Sequence, residues 1–105
     1  MLDIVQMMKS SEEIIEARSL INVAFNARVR GDFDEAERVD LGEAERLHRE
    51  ALAIHKEVGD RLNEAVSLYY LGLIAKIHGD DESASEYLQK SKAIRLEIFP
   101  FDNVE

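Results

Sequence analysis

Three Gly-Asp pairs, Gly31-Asp32, Gly59-Asp60 and Gly79-Asp80, divide the chain into segments that each carry a helical apolar period. Glycine reaches the left-handed conformation that ends a helix, and aspartate then accepts from the amides that open the next one. Repeated punctuation of this kind describes antiparallel helices in series. A sandwich or barrel would need more turn residues than five Gly and one Pro in 105 residues. The sequence therefore predicts an all-α fold of two αα-hairpins, four helices in a single domain over 1–105.

The helices are expected at about 11–30, within 34–58, at 61–78 and at 82–98. Ser10 and Glu13 have capping-box spacing at the start of the first helix, and Ile14, Ala17, Leu20 or Ile21, Ala24 and Ala27 form its apolar stripe. In the second, Ala44, Leu47, Ala51, Ile54 and Val58 recur three and four apart. Leu62, Ala65, Leu68, Leu71 or Gly72 and Ala75 do so in the third, and Ala84, Tyr87 or Leu88, Ser91 and Ile94 in the fourth. Pro100 forbids further regular helix. Residues 1–9 read as a partial extra helix and 99–105 as a tail, which makes repeat one about 11–58 and repeat two about 60–98.

The step from Gly59 to Gly79 is 20 residues, but that from Gly31 to Gly59 is 28. The excess is an internal duplication. Glu35-Ala36-Glu37-Arg38 returns as Glu43-Ala44-Glu45-Arg46, with Phe33 answering to Leu41, Asp32 to Asp40 and Val39 to Leu47. An insertion of that length turns an α-helix about 80° past two full turns and lengthens it by roughly 12 Å. One long second helix is the expected outcome; a start at Asp40 or a mid-helix bulge are the alternatives. A long helix would project Phe33, Val39 and Leu41 as an oligomer contact.

Function classes narrow quickly. The chain carries 13 Lys and Arg against 22 Asp and Glu, a formal charge of −9, which argues against binding nucleic acid or an anionic membrane. The most apolar stretch, 66–74, is about half the roughly 20 residues that span a bilayer. With no cysteine and no signal-like start, the expected location is cytoplasmic. Glu45 and His48 have the Glu-x-x-His spacing of di-iron bundles, and His48 and His55 share a face. A metal centre needs a second such motif, however, and no other helix offers one. His48 and His55 are expected at a surface or interface. Neither a phosphate loop nor a nucleophile elbow is present. No catalytic residue, metal or cofactor is expected, and the chain is not read as an enzyme.

The segment LYYLGLIAKIHGDDESASEYLQKSKAI, over the third and fourth helices, resembles a tetratricopeptide repeat (TPR). Its marks are Leu68, Leu71, Gly72, Ala75, Gly79, Ala84, Leu88 and Ser91. Leu20, Val23, Ala24, Ala27, Gly31, Ala44 and Ala51 carry the match in the first pair, where His48 stands at a position commonly aromatic. The period of roughly 40 is longer than the usual 34 and is similar to that of kinesin light chains and bacterial regulatory proteins. HEAT-like pairs share the period but lack this Leu-Gly and Ala register.

The resemblance implies a curved pair of hairpins that binds a protein or peptide on the concave side, lined by the first helix of each pair. The residues placed there are Arg18, Ile21, Asn22, Phe25, Tyr69, Tyr70 and Leu73. Asn22 falls where light-chain-like repeats carry an asparagine that bonds a bound peptide's backbone, whereas the corresponding place in repeat two is Tyr70. The alternative role is a homo-oligomer in which a second copy buries this apolar face.

Overall fold

A computed structural model describes residues 4–32, 34 and 41–100. Among them are four helices, α1 (Ile4–Val29), α2 (Gly42–Val58), α3 (Arg61–Ile77) and α4 (Asp81–Ile98), and no strand.

The Gly-Asp pairs do what their chemistry predicts. Gly31, Gly59 and Gly79 have φ of 84°, 76° and 79°. In each pair the aspartate amide reaches back into the helix just ended: Asp32 N–H donates to Ala27 O at 2.8 Å, Asp60 to His55 O at 2.9 Å and Asp80 to Ala75 O at 2.9 Å. This is the bond that closes a helix with a left-handed residue at its end. Asp60 and Asp80 then open the next helix. Asp60 accepts from the Asn63 backbone amide (3.2 Å) and side-chain amide (2.7 Å), and Asp80 accepts from the Ser83 amide (3.1 Å). The Asn63 side chain and amide at Asp60, and the Ser83 side chain and amide at Asp80, hold both carboxyls below the usual carboxylate range.

Two expected boundaries move. α1 does not start at the Ser10 capping box but runs unbroken from Ile4, so residues 4–9 belong to it. No Gly or Pro interrupts residues 1–30, and Gln, Met and Lys propagate helix readily through Ser10. The second helix begins at Gly42 and does not run unbroken from 34. Its N-cap, Leu41, has φ −98° and ψ 1°, and the carbonyl of Leu41 accepts from Glu45 N–H at 2.8 Å. Glu43 and Glu45 in the first turn favour a start at this point. The first copy of the duplicated segment, 35–38, lies outside the described residues.

α3 is the centre of the molecule. On one side it meets α1 and α2 through a cluster of Ile21, Ala24, Leu41, Ala44, Leu73, Ile74 and Ile77, edged by Phe25, Leu47 and Tyr70. On the other, Ala65 and Leu68 meet Ile94 of α4, with Leu52, Tyr87 and Ile98 around them. The α3–α4 pair is the closest. A Cβ on Gly72 would stand 2.8 Å from Cγ and Cδ2 of Leu88, and Ser91 Oγ donates to Ala65 O at 2.7 Å in a buried setting. Arg61 ties the start of α3 to the end of α4, donating to Glu64 at 2.9 Å and to Glu97 at 2.7 Å. The result is a slab about 19 Å thick. Its helices pack in sequence, α1 on α2 and α3, then α3 on α4, without closing into a four-helix bundle.

Candidate functional site

The first helices of the two hairpins, α1 and α3, lie side by side, and their facing edges bring most of the proposed binding residues together. The Arg18 guanidinium sits over the Tyr70 ring, 5.2 Å from its centroid. Tyr69 meets the same ring edge-on, at 5.5 Å and 80°. His48 of α2 stacks on it at 5.2 Å and 14°. Tyr70 and Arg18 are half-buried, as is Phe25, whereas Asn22 is exposed and Tyr69 is 44% exposed. A guanidinium over a phenol face is attracted by the ring quadrupole, so Arg18 fixes Tyr70 and Tyr70 in turn backs Tyr69.

Two residues assigned to this face are not on it. Ile21 is 0% exposed and Leu73 is 6% exposed. They lie on the edges of α1 and α3 that face each other and meet in the core cluster, so close packing of the two helices removes them from any open surface. Leu41 is corrected likewise. It does not project toward a second subunit; it is buried in that cluster at the start of α2. Phe33 and Val39, grouped with it as an oligomer contact, lie outside the described residues, as does the side chain of Ala17. Leu20, Ile54, Val58 and Leu62, placed on apolar stripes, are exposed.

The surface or interface place expected for His48 is also corrected: the residue is fully buried, and neither ring nitrogen has a hydrogen-bond partner. Burial away from water, with the Arg18 charge as a lesser cause, lowers its pKa to about 4, so the ring is neutral at physiological pH. The sequence signal was present: His48 follows Ala44 by four and precedes Ala51 by three, on the buried face of α2, at the position where the family prefers an aromatic. His55 is half-buried, with Nδ1 3.9 Å from Asp60 Oδ2. No group of three metal-ligating side chains occurs among the described residues. Glu43, Glu45 and Glu50 of α2 are taken up in surface ion pairs, Arg46 with Glu43 and Glu50 and Arg49 with Glu45. An open groove of about 540 Å³ lies elsewhere, between Lys76 of α3 and the Asp81–Lys92 stretch of α4, floored by Ala84 and Leu88.

The geometry is that of paired helices brought close by small residues at Gly72, Ala84 and Ser91. A family model described as Tetratricopeptide repeat matches residues 40–97. The chain belongs to the tetratricopeptide repeat family. The match spans α2, α3 and α4 and includes Gly72, Ala84, Leu88 and Ser91, the residues that set the α3–α4 distance. Comparison with curated proteins and with solved structures finds no match. TPR arrays are in general scaffolds for protein–protein interaction, and their repeats are typically non-enzymatic. No helix among the described residues is long and apolar enough to cross a membrane.

Proposed function

We propose that this TPR unit holds a peptide or helix of a protein partner across α1 and α3, with Tyr69 as anchor and Arg18, Asn22, Phe25 and Tyr70 around it. The supporting observation is the state of Tyr69: nearly half exposed, yet backed by a Tyr70 ring that Arg18 and His48 both pack against. A rigid, partly exposed aromatic loses little entropy on binding and supplies disproportionate energy. Asn22 both donates and accepts, which suits an extended backbone. The absence of cysteine fits a cytoplasmic setting for such a scaffold.

The alternative, in which a second copy covers this same face, loses part of its ground. Of the residues that make the face apolar, Ile21 and Leu73 are covered by the chain itself, while Phe25 is half-buried and Tyr69 exposed. The test is selection of binders from a displayed peptide library, followed by titration against the parent and Tyr69→Ala. Loss of about tenfold or more in affinity supports the anchor, and equal affinity removes it.

A further inference from the structure

The second hairpin, α3 and α4, repeats the first, and the match shows what its far side lacks. Leu20, Ala24, Ala27 and Gly31 of the first answer to Leu68, Gly72, Ala75 and Gly79 of the second, and Ala44 and Ala51 answer to Ala84 and Ser91. In the same register Ile21 answers to Tyr69, and Leu41, His48 and Leu52 answer to Asp81, Leu88 and Lys92. On the first hairpin this surface is closed. Ile21, Leu41, Ala44 and His48 are buried because α3 lies across them: Ile74 and Ile77 join the first three in one cluster, and Tyr70 stacks on His48. On the second hairpin no described helix lies there. Tyr69 is exposed, Leu88 is half-buried, and the open groove between Lys76 and the Asp81–Lys92 stretch occupies the place that α3 fills one repeat earlier.

We propose that the α3–α4 groove seats an acidic amphipathic helix of another protein. The form follows from the chain itself, since a helix, α3, is what covers the same surface on the first hairpin. Tyr69 and Leu88 offer that helix an apolar contact. Its charge follows from what has changed between the repeats. Where the first hairpin has Leu52, half-buried against the Ala65 and Leu68 cluster, the second has an exposed lysine, Lys92. Lys76 stands on the opposite wall, and neither lysine makes an ion pair among the described residues. Two unpaired cations select carboxylates locally, on a chain whose net charge of −9 repels them elsewhere. Asp81 also lines the groove, in the first turn of α4, about 16 Å along the helix from Lys92. The spacing of the partner's acids is set as well. Gly72 faces Leu88. Lys76 is one turn from Gly72 toward the α3–α4 connection, and Lys92 is one turn from Leu88 away from it, so the two charges lie about 12 Å apart along the groove. Carboxylates two helical turns apart, on opposite flanks of an apolar stripe, match that distance. Tyr69 is the one residue shared with the peptide edge, so a seated helix and an anchored peptide exclude each other there. Arg18, Asn22 and Phe25 take no part, and neither reading rests on the other.

Fluorescence anisotropy with a labelled alanine-based helical peptide tests the groove. The probe carries leucines on one stripe and two glutamates two turns apart on its flanks; a control carries lysines in place of both glutamates. The parent is expected to bind the acidic probe with a Kd of roughly micromolar order and the lysine control at least about tenfold more weakly, against the sign of its own net charge. Lys76→Glu and Lys92→Glu are each expected to weaken the acidic probe by about fivefold or more, and the double variant to prefer the lysine control. Lys90→Glu changes the net charge equally but lies outside the groove, and it leaves the affinity unchanged. All three lysines are exposed, and circular dichroism checks that each variant keeps its helices. A parent that prefers the lysine control, or a loss in Lys90→Glu as large as in the groove variants, overturns the proposal. A parent that binds neither probe overturns it too and leaves the groove as the solvated end of the array. Self-association of the parent that Lys92→Glu abolishes gives the groove to a second copy instead.

Discussion

The imidazole of His48 lies on the phenol ring of Tyr70, 5.2 Å between centroids and 14° from parallel, with both of its nitrogens buried and unbonded. An aromatic ring at this position serves the packing, and the two nitrogens add only a desolvation cost.

That relationship predicts how stability depends on pH. The folded pKa of about 4 lies below the ordinary value of 6.5 because the charged ring cannot be hydrated where it sits. Between those values the unfolded chain binds a proton that the folded chain does not, so the contribution is full above about pH 6.5 and falls as pH drops toward 4. The loss amounts to about 3 kcal/mol at most. His48→Phe keeps the stack, removes the titration and is expected to flatten the decline over that window. Thermal melts at pH 8 and pH 5 check it, and an unchanged difference between the two would contradict the assignment. The capping carboxylates are separable, since Asp60 and Asp80 titrate below the ordinary aspartate value and lose their contribution only in more acid solution.

Gly72→Ala tests the close approach of α3 and α4. Alanine favours helix by about 1 kcal/mol over glycine, so an open site would be stabilised. Here the new methyl would stand 2.8 Å from Leu88 Cγ as well as Cδ2, which moves the whole isobutyl group. Net destabilisation of about 1–2 kcal/mol in urea unfolding is expected. The cost should be smaller when Leu88 is alanine in both chains compared, and a stabilised Gly72→Ala chain would show that the helices are farther apart.

Ser91→Ala removes the hydroxyl that bridges α4 to the Ala65 carbonyl. The loss is expected at about 0.5–1.5 kcal/mol, the ordinary worth of one buried hydrogen bond. Urea midpoints decide it, and no change would mean that small size alone is what position 91 requires.

The hairpin plan was legible because its punctuation is local. Gly31-Asp32 carries the stop of α1, the pairs at Gly59 and Gly79 carry both the stop and the start within two residues, and the geometry at Asp60 and Asp80 follows from the side chain itself. The α3 and α4 stripes were legible for a similar reason: Gly72, Ala84 and Ser91 fix how closely two neighbouring helices pack, and their spacing is in the sequence. Three features depend instead on contacts between helices distant in the chain. Which of Leu20 and Ile21 turns inward is set by the rotation of α1 against α3, and the same rotation hides Leu73. The start of α2 at Gly42 follows from Leu41 docking beneath α1 and α3, which no capping pattern encodes. Ser10 had the spacing of a cap, yet with good helix formers on both sides nothing stops the helix there.

The central claim is that the α1–α3 edge around Tyr69 is where a protein partner binds, and amide chemical-shift mapping with a selected peptide tests it most directly. The account predicts that saturating peptide moves Arg18, Asn22, Phe25, Tyr69 and Tyr70 and leaves the outward side of α4 unchanged. Shifts confined to the groove around Ala84, Gln89 and Lys92, with the Tyr69 edge silent, would contradict it.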